Sequence, residues 1–263
     1  MIDDEGRTRH GAVVTRRSHP QRGLDYYLLL ARARSAPADP TRTRGEHPAA
    51  PEGILVEEFV RDHEFVTVGL FAAAWRADDP RWLSCASLSR VMRTDPVSLT
   101  RVVPSDRSGA EIAYQQLGGG RLPDEAALRS SFLDYETLAT APLLRLGPAD
   151  TPAGFREKRT YRVLFAKDLQ VEQVEALRGR WNPPPGGQGG RGPIPQMPAG
   201  HRRAGDDLFS WTLHRIGGGL AWGLDVTALL ATELDDTVGP VLDDLTQTVR
   251  QHGLIPVVTE RFS

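Results

Sequence analysis

From about residue 157 to the end, the hydrophobic period switches between two and 3.6 in a fixed order, and this constrains the fold more than any other feature. Tyr161, Val163 and Phe165 alternate within 159–167, which predicts a strand with one apolar face. Val171, Val174, Leu177 and Trp181 recur at helical spacing over 170–181. Phe209, Trp211 and Leu213 alternate over 207–216, and Leu220, Trp222, Leu224 and Val226 over 220–229. Val238, Val241, Leu242, Leu245 and Val249 form the apolar stripe of a helix over 237–252, with Asp235 and Asp236 before it and Gly253 after it. A last strand is expected over 254–262. The order is β-α-β-β-α-β, the split βαβ arrangement of ferredoxin-like folds. Pro256 falls in the last strand, which that arrangement puts at a sheet edge, where a missing ladder donor is tolerated.

The two middle strands fix which residues face outward. Trp211 and Trp222 must both meet the helices, so the turn between the strands must be even. Gly217-Gly218 or Gly218-Gly219 would suit a two-residue hairpin. The other face then carries Arg162, Ser210, Thr212, His214, Asp225 and Thr227.

The first half reads less clearly. Residues 1–23 form an unpatterned polar tail, and 24–34 a strand. Residues 35–53, with four prolines, read as a loop. Residues 54–61 and 65–76 read as a β-hairpin turned by Asp62-His63-Glu64. Asp79-Pro80 looks like a helix start, and that helix ends by Thr94 because Asp95-Pro96 follows. A second helix spans 105–117 and a third 123–139, with Leu128, Phe132, Tyr135 and Leu138 along one stripe. Pro142, Pro148 and Pro152 mark a linker. The expected fold is therefore α+β. A ferredoxin-like unit over 157–263, carrying a Pro/Gly-rich loop at 182–200, follows a smaller α+β unit over 24–148 with antiparallel strands and two to three helices.

Composition narrows the function. Net charge is −2, so no overall positive field recruits nucleic acid. The 32 Lys and Arg include only two lysines, Lys158 and Lys167, an arginine bias that fits GC-rich coding and warns against reading each arginine as a ligand clamp. Cys85 is the only cysteine, which excludes an intrachain disulfide and a multi-cysteine zinc site. No apolar run approaches a membrane span and no signal-peptide pattern opens the chain, so the expected location is cytoplasmic.

No motif concentrates a nucleophile, a base and donors. The glycine runs at 118–120, 186–190 and 217–219 lack the context of a phosphate loop, and neither a metal signature nor a GxSxG elbow occurs. No cofactor and no metal are expected. Cys85, near Trp82, Leu83 and Leu88, reads as a small core residue. His63 reads as a turn residue, and His252 as a cation suited to a helix C-terminus. The best place for chemistry is the outward face. There His214 and Asp225 are the acid–base candidates, if a diagonal contact joins them, and Arg162, Ser210 and Thr212 the ligand-binding candidates. A hydrated sheet surface explains the same residues.

Three functions follow. The first is a non-catalytic accessory or protein-interaction protein whose loops order on a partner and whose open face permits self-association. The second is a small-molecule binder or enzyme with a pocket between two ferredoxin-like sheets. The third is nucleic-acid binding, disfavoured because the central outward positions Ala221, Gly223, Asp225 and Thr227 carry no stacking aromatic.

Overall fold

The structure, a computed structural model, describes residues 23–32, 49–139, 150–181, 197–217 and 221–263. The tail, most of the 35–53 loop, Pro142 and Pro148 of the linker, most of the 182–200 loop and residues 218–220 of the glycine turn lie outside the described residues. The described chain is α+β, with two antiparallel sheets and six helices.

The first sheet is built from β1 (Asp25–Leu30), β2 (Pro51–Arg61), β3 (Thr67–Arg76), β4 (Asp79–Ser84), β5 (Val102–Ser105) and the two-residue β6 (Glu136–Thr137). Its order is β4-β3-β2-β1-β5, with β6 against β3. Both faces are covered. One carries Tyr26, Ile54, Val56, Ala73 and Trp75 and packs under α3 (Arg107–Gln116) and α4 (Glu125–Ser130). The other carries Tyr27, Leu55 and Ala72 and packs with Cys85, Met92 of α1 (Ala86–Met92), Leu99 of α2 (Pro96–Thr100), Ala166 and Ile255.

The second sheet is β11-β7-β10-β9-β8, from β7 (Glu157–Ala166), β8 (Ala199–Ala204), β9 (Asp207–Ile216), β10 (Ala221–Leu230) and β11 (Ile255–Arg261). Its apolar face, with Tyr161, Val163, Phe165, Trp211, Leu213, Trp222 and Leu224, packs against α5 (Val171–Trp181) and α6 (Val238–Gln251). Pro256 does sit in an edge strand, beside an irregularity in the β11–β7 register. The even parity also holds, because Ile216 pairs with Ala221 and Trp211 with Val226. Four residues separate that first pair, in place of the two expected.

Several expectations are corrected. Asp79-Pro80 begins an edge strand and not a helix. After Ala77 and Asp78 the chain reverses, Arg76 pairs with Asp79, and Pro80 needs no ladder donor at an edge. The first helix therefore starts at Ala86. It does stop before Asp95-Pro96, where Asp95 caps α2 by accepting from Ser98 N at 3.0 Å. The first half thus has four helices among the described residues, not two to three.

The helix expected over 123–139 is confined to Glu125–Ser130, capped by Asp124, which accepts from Ala127 N at 2.8 Å. Phe132 and Tyr135 leave the helix and pack on Phe71 of β3, at centroid distances of 5.9 and 5.0 Å. Their spacing reflects cover of a sheet, with β6 adding on behind. Strands β5 and β8 were not expected either, and β8 interrupts the simple β-α-β-β-α-β order.

Candidate functional site

The outward face of the second sheet brings the sequence candidates together. Asp225 of β10 lies opposite Arg162 of β7 on one side and Thr212 of β9 on the other. Thr227, two residues on, lies between Thr160 and Ser210. Arg162 donates from Nε to Asp225 Oδ1 at 2.6 Å and from Nη2 to Oδ2 at 2.8 Å, a bidentate pair. That hydrogen bonding holds the Arg162 guanidinium above its ordinary pKa. Its plane also lies over the Phe262 ring, 4.9 Å from the centroid.

His214 reaches Asp225 diagonally, as the pairing required. Its Nε2 is 3.6 Å from Asp225 Oδ2, an ion-pair distance but longer than a hydrogen bond. Both Asp225 oxygens are already held by Arg162, so the carboxylate does not orient the imidazole. The Arg162, His214 and Asp225 side chains are each about 30% exposed, while Ser210 and Thr212 are exposed. This face carries exposed hydroxyls around one central ion pair.

The two sheets do not meet over this face. They join elsewhere, through Tyr27, Val102, Ala166 and Ile255 and a set of polar links. Lys167 donates to Val102 O, Arg61 pairs with Asp243 at 2.8 Å, and Thr259 N donates to Thr67 Oγ1 at 2.9 Å. None of Arg162, Ser210, Thr212, His214 and Asp225 takes part in these links.

A buried charge cluster lies in that junction, and sequence reading missed it. Glu57 of β2 is fully buried, and Arg93, just after α1, is nearly so. Arg93 donates through both terminal nitrogens to the Glu57 carboxylate and from Nε to Pro256 O of β11 at 2.8 Å. The Ser89 hydroxyl donates to Glu57 and accepts from Arg93. Close by, Arg250 of α6 pairs with Asp25 at 3.1 Å, donates to Tyr26 O at 3.0 Å and lies over the Tyr27 ring. Burial alone would pull the Arg93 guanidinium down, but Glu57 overcomes this and pushes it up. The only sequence signal was the Glu57-Glu58 pair inside an otherwise apolar run. A cavity of about 10 Å³ lies beside Tyr27, Glu57 and Arg93, room for no more than one water-sized group.

Other singled-out residues find structural places. Asp235 pairs with Arg159 at 2.7 Å and Asp244 with Arg202 at 2.6 Å. His63 is an exposed turn residue. His252 is the C-cap of α6, and burial, with nearby Arg180, lowers its pKa, which opposes the cation expected there. Asp168, which sequence reading passed over, accepts from Trp222 Nε1 at 2.9 Å and from Arg215 at 2.6 Å. Burial would raise its carboxyl, but these donors hold it below the ordinary range. Among the described residues no group of three His, Cys, Asp or Glu side chains is placed to hold a metal, and no helix is long and apolar enough to cross a membrane.

Cys85 joins the junction core, as expected for a small apolar residue. Burial pushes its thiol up to about 12, with the Glu57 and Asp134 carboxylates adding to the effect. Since the thiolate is the nucleophile, iodoacetamide at pH 8 should label native Cys85 at least about a hundredfold more slowly than the unfolded chain. Comparable rates would contradict this burial. The folded state keeps a proton that the unfolded thiol releases near pH 9, so this contribution is complete below pH 9 and is lost as pH rises toward about 12. Cys85→Ala should flatten that part of the stability–pH curve.

The fold and this face define an α+β protein with two antiparallel sheets, one of them open to solvent on its polar side among the described residues. No protein-family model, curated protein sequence or solved structure matches the chain.

Proposed function

We propose that this chain is a non-catalytic protein-interaction protein and that the polar face of the second sheet is its binding surface. The carrying observation is the Arg162–Asp225 pair, which commits the central charges of that face to each other. A carboxylate already held by two guanidinium donors is a poor orienter of a catalytic imidazole. A face with exposed hydroxyls and a central neutralised pair fits macromolecular contact better than enclosure of a small substrate. We read the second sheet as ferredoxin-like with one added strand. The order β11-β7-β10-β9, with both helices on one face, supports that reading, and β8 is the addition. A cytoplasmic location accords with the single cysteine.

The test is retention of a binding partner from an extract of the source cell on immobilised protein. Thr212→Arg puts a bulky charge in the middle of the exposed face, and Ile112→Ser alters a distant exposed site on α3. Proteins retained by the wild type and by Ile112→Ser should be lost at least about tenfold with Thr212→Arg. Equal retention by all three ends the reading.

The small-molecule or acid–base alternative rests on the 3.6 Å approach of His214 to Asp225. It requires a ligand to draw Arg162 off the carboxylate. Nucleic-acid binding remains third, because Phe262 is the aromatic on this face and it lies under Arg162.

A further inference from the structure

We infer that β8 is an acceptor edge for an acidic, extended segment of a partner protein, which adds to the second sheet as a sixth strand. This rests on the interaction reading above and names the partner's chemistry.

The backbone supplies the first argument. Among the described residues β8 ends the sheet and pairs with β9 alone. Leu213 N donates to Pro198 O at 2.8 Å, so Pro198 and Leu213 form a hydrogen-bonded pair. Every second residue from there, Gly200, Arg202 and Ala204, turns its N–H and C=O toward β9. The intervening Ala199, His201 and Arg203 turn theirs to the free edge. Such an edge binds an added strand through main-chain hydrogen bonds and selects it through the side chains.

Charge supplies the second argument. His201, Arg202 and Arg203 are consecutive. Arg202 lies on the helix side and is paired with Asp244 at 2.6 Å. His201 and Arg203 lie on the polar face beside Ser210 and Leu208, and both are exposed. Neither has an acidic partner among the described residues. Basic edge residues also repel a second copy of the same edge, which discourages self-pairing. They favour a strand with carboxylates at alternate positions, opposite His201 and Arg203.

A buried donor at the same edge supplies the third. The Trp211 indole lies over Gly200, so close that a side-chain carbon there would come within 2.7 Å of the ring. Its Nε1–H is buried and has no acceptor among the described residues. An added strand carrying an oxygen acceptor opposite Gly200 would sit beside it. A buried donor left unpaired is costly, and this gives the edge a further preference for acceptor-rich partners.

The probes are two fluorescein-labelled peptides, Thr-Glu-Val-Glu-Val-Glu-Thr and its counterpart with lysine for each glutamate, followed by anisotropy at low salt. The acidic peptide should bind and the basic one should not. Arg203→Glu should reverse that preference. His201→Ala removes only a side chain and should change affinity by less than about threefold. His201→Pro also removes an outward N–H, leaves the β9 ladder intact and should weaken binding about tenfold. Circular dichroism identical to the wild type confirms that the variant is folded. Equal binding of both peptides, or equal affinity of the alanine and proline variants, overturns the proposal. So does a concentration-dependent dimer in sedimentation that His201→Pro abolishes, since the occupant would then be a second copy. If neither peptide binds while Thr212→Arg still releases a captured partner, the edge proposal fails and the interaction reading stands. If Thr212→Arg also has no effect, both fail.

Discussion

Glu57→Ala should lower the unfolding free energy by about 3–5 kcal/mol, read as a shift of the urea midpoint. The carboxylate is fully buried and is matched there by Arg93 and the Ser89 hydroxyl. Removing it leaves a guanidinium with 6% of its side chain exposed and without its paired carboxylate, and that desolvation is not recovered. Arg93 also donates to Pro256 O of β11, so the damage reaches the contact between the two sheets. The pair itself is expected to add little net stability over apolar side chains of the same shape. A triple variant with Glu57→Leu, Arg93→Leu and Ser89→Ala should therefore be more stable than Glu57→Ala alone. A loss below about 1 kcal/mol for Glu57→Ala would show that water reaches this cluster.

Phe65→Ala should cost about 3–5 kcal/mol, the range for deleting a buried aromatic ring. Phe65 lies in the β2–β3 turn, where Asp62 Oδ1 accepts from Glu64 N at 2.9 Å and from Val66 N at 3.0 Å. That turn holds Phe65 at a φ of 64°, a conformation costly for a side chain with a Cβ. The strain is offset by burial, because the ring is only 5% exposed and belongs to the apolar cluster of the second sheet. It seats against Gly239 of α6, where a Cβ would come within 2.9 Å of the ring. Gly239→Ala should therefore destabilise too, although alanine suits a helix better than glycine. A urea midpoint for Phe65→Ala within about 1 kcal/mol of the wild type would mean that the turn does not anchor the two halves.

These two sites change the meaning of the arginine-rich composition. The number of arginines fits GC-rich coding, and the structure gives many of them a task. Arg93, Arg250 and Arg61 tie the first sheet to the second, and Arg261 does the same through Glu64 at 3.1 Å. Arg129 holds Glu58 at 3.0 Å, so the adjacent Glu57 and Glu58 are each paired with an arginine, on opposite faces of one strand. In the sequence these acids were two polar interruptions of an apolar run. Their partners lie 36 and 71 positions away, and no local pattern links them.

The candidate face was legible for a different reason. Strand alternation assigns each side chain to a face, and an even hairpin connection carries the assignment from β9 to β10. Arg162, Ser210, Thr212, His214 and Asp225 therefore fall on one face by alternation alone. Their geometry was not legible. Whether Asp225 would orient His214 or be held by Arg162 depends on sub-ångström placement of three side chains from three strands. Phe262, which packs against Arg162, looked like no more than the end of the last strand.

The sequence by itself determined β7, α5, β9, β10, α6 and β11, and the polar character of the face they leave open. Period two and period 3.6 are local properties, and each of these elements is long enough to show one of them. Only the tertiary structure decided β4, β5, β6 and β8, the shortening of the helix after Asp124, and the joining of the two sheets. Short edge strands have little pattern of their own and form because a neighbouring strand offers unpaired N–H and C=O groups. The junction depends on Glu57 meeting Arg93, Asp25 meeting Arg250 and Phe65 meeting Gly239, and the last two pairs join the first half of the chain to α6, which no local pattern links.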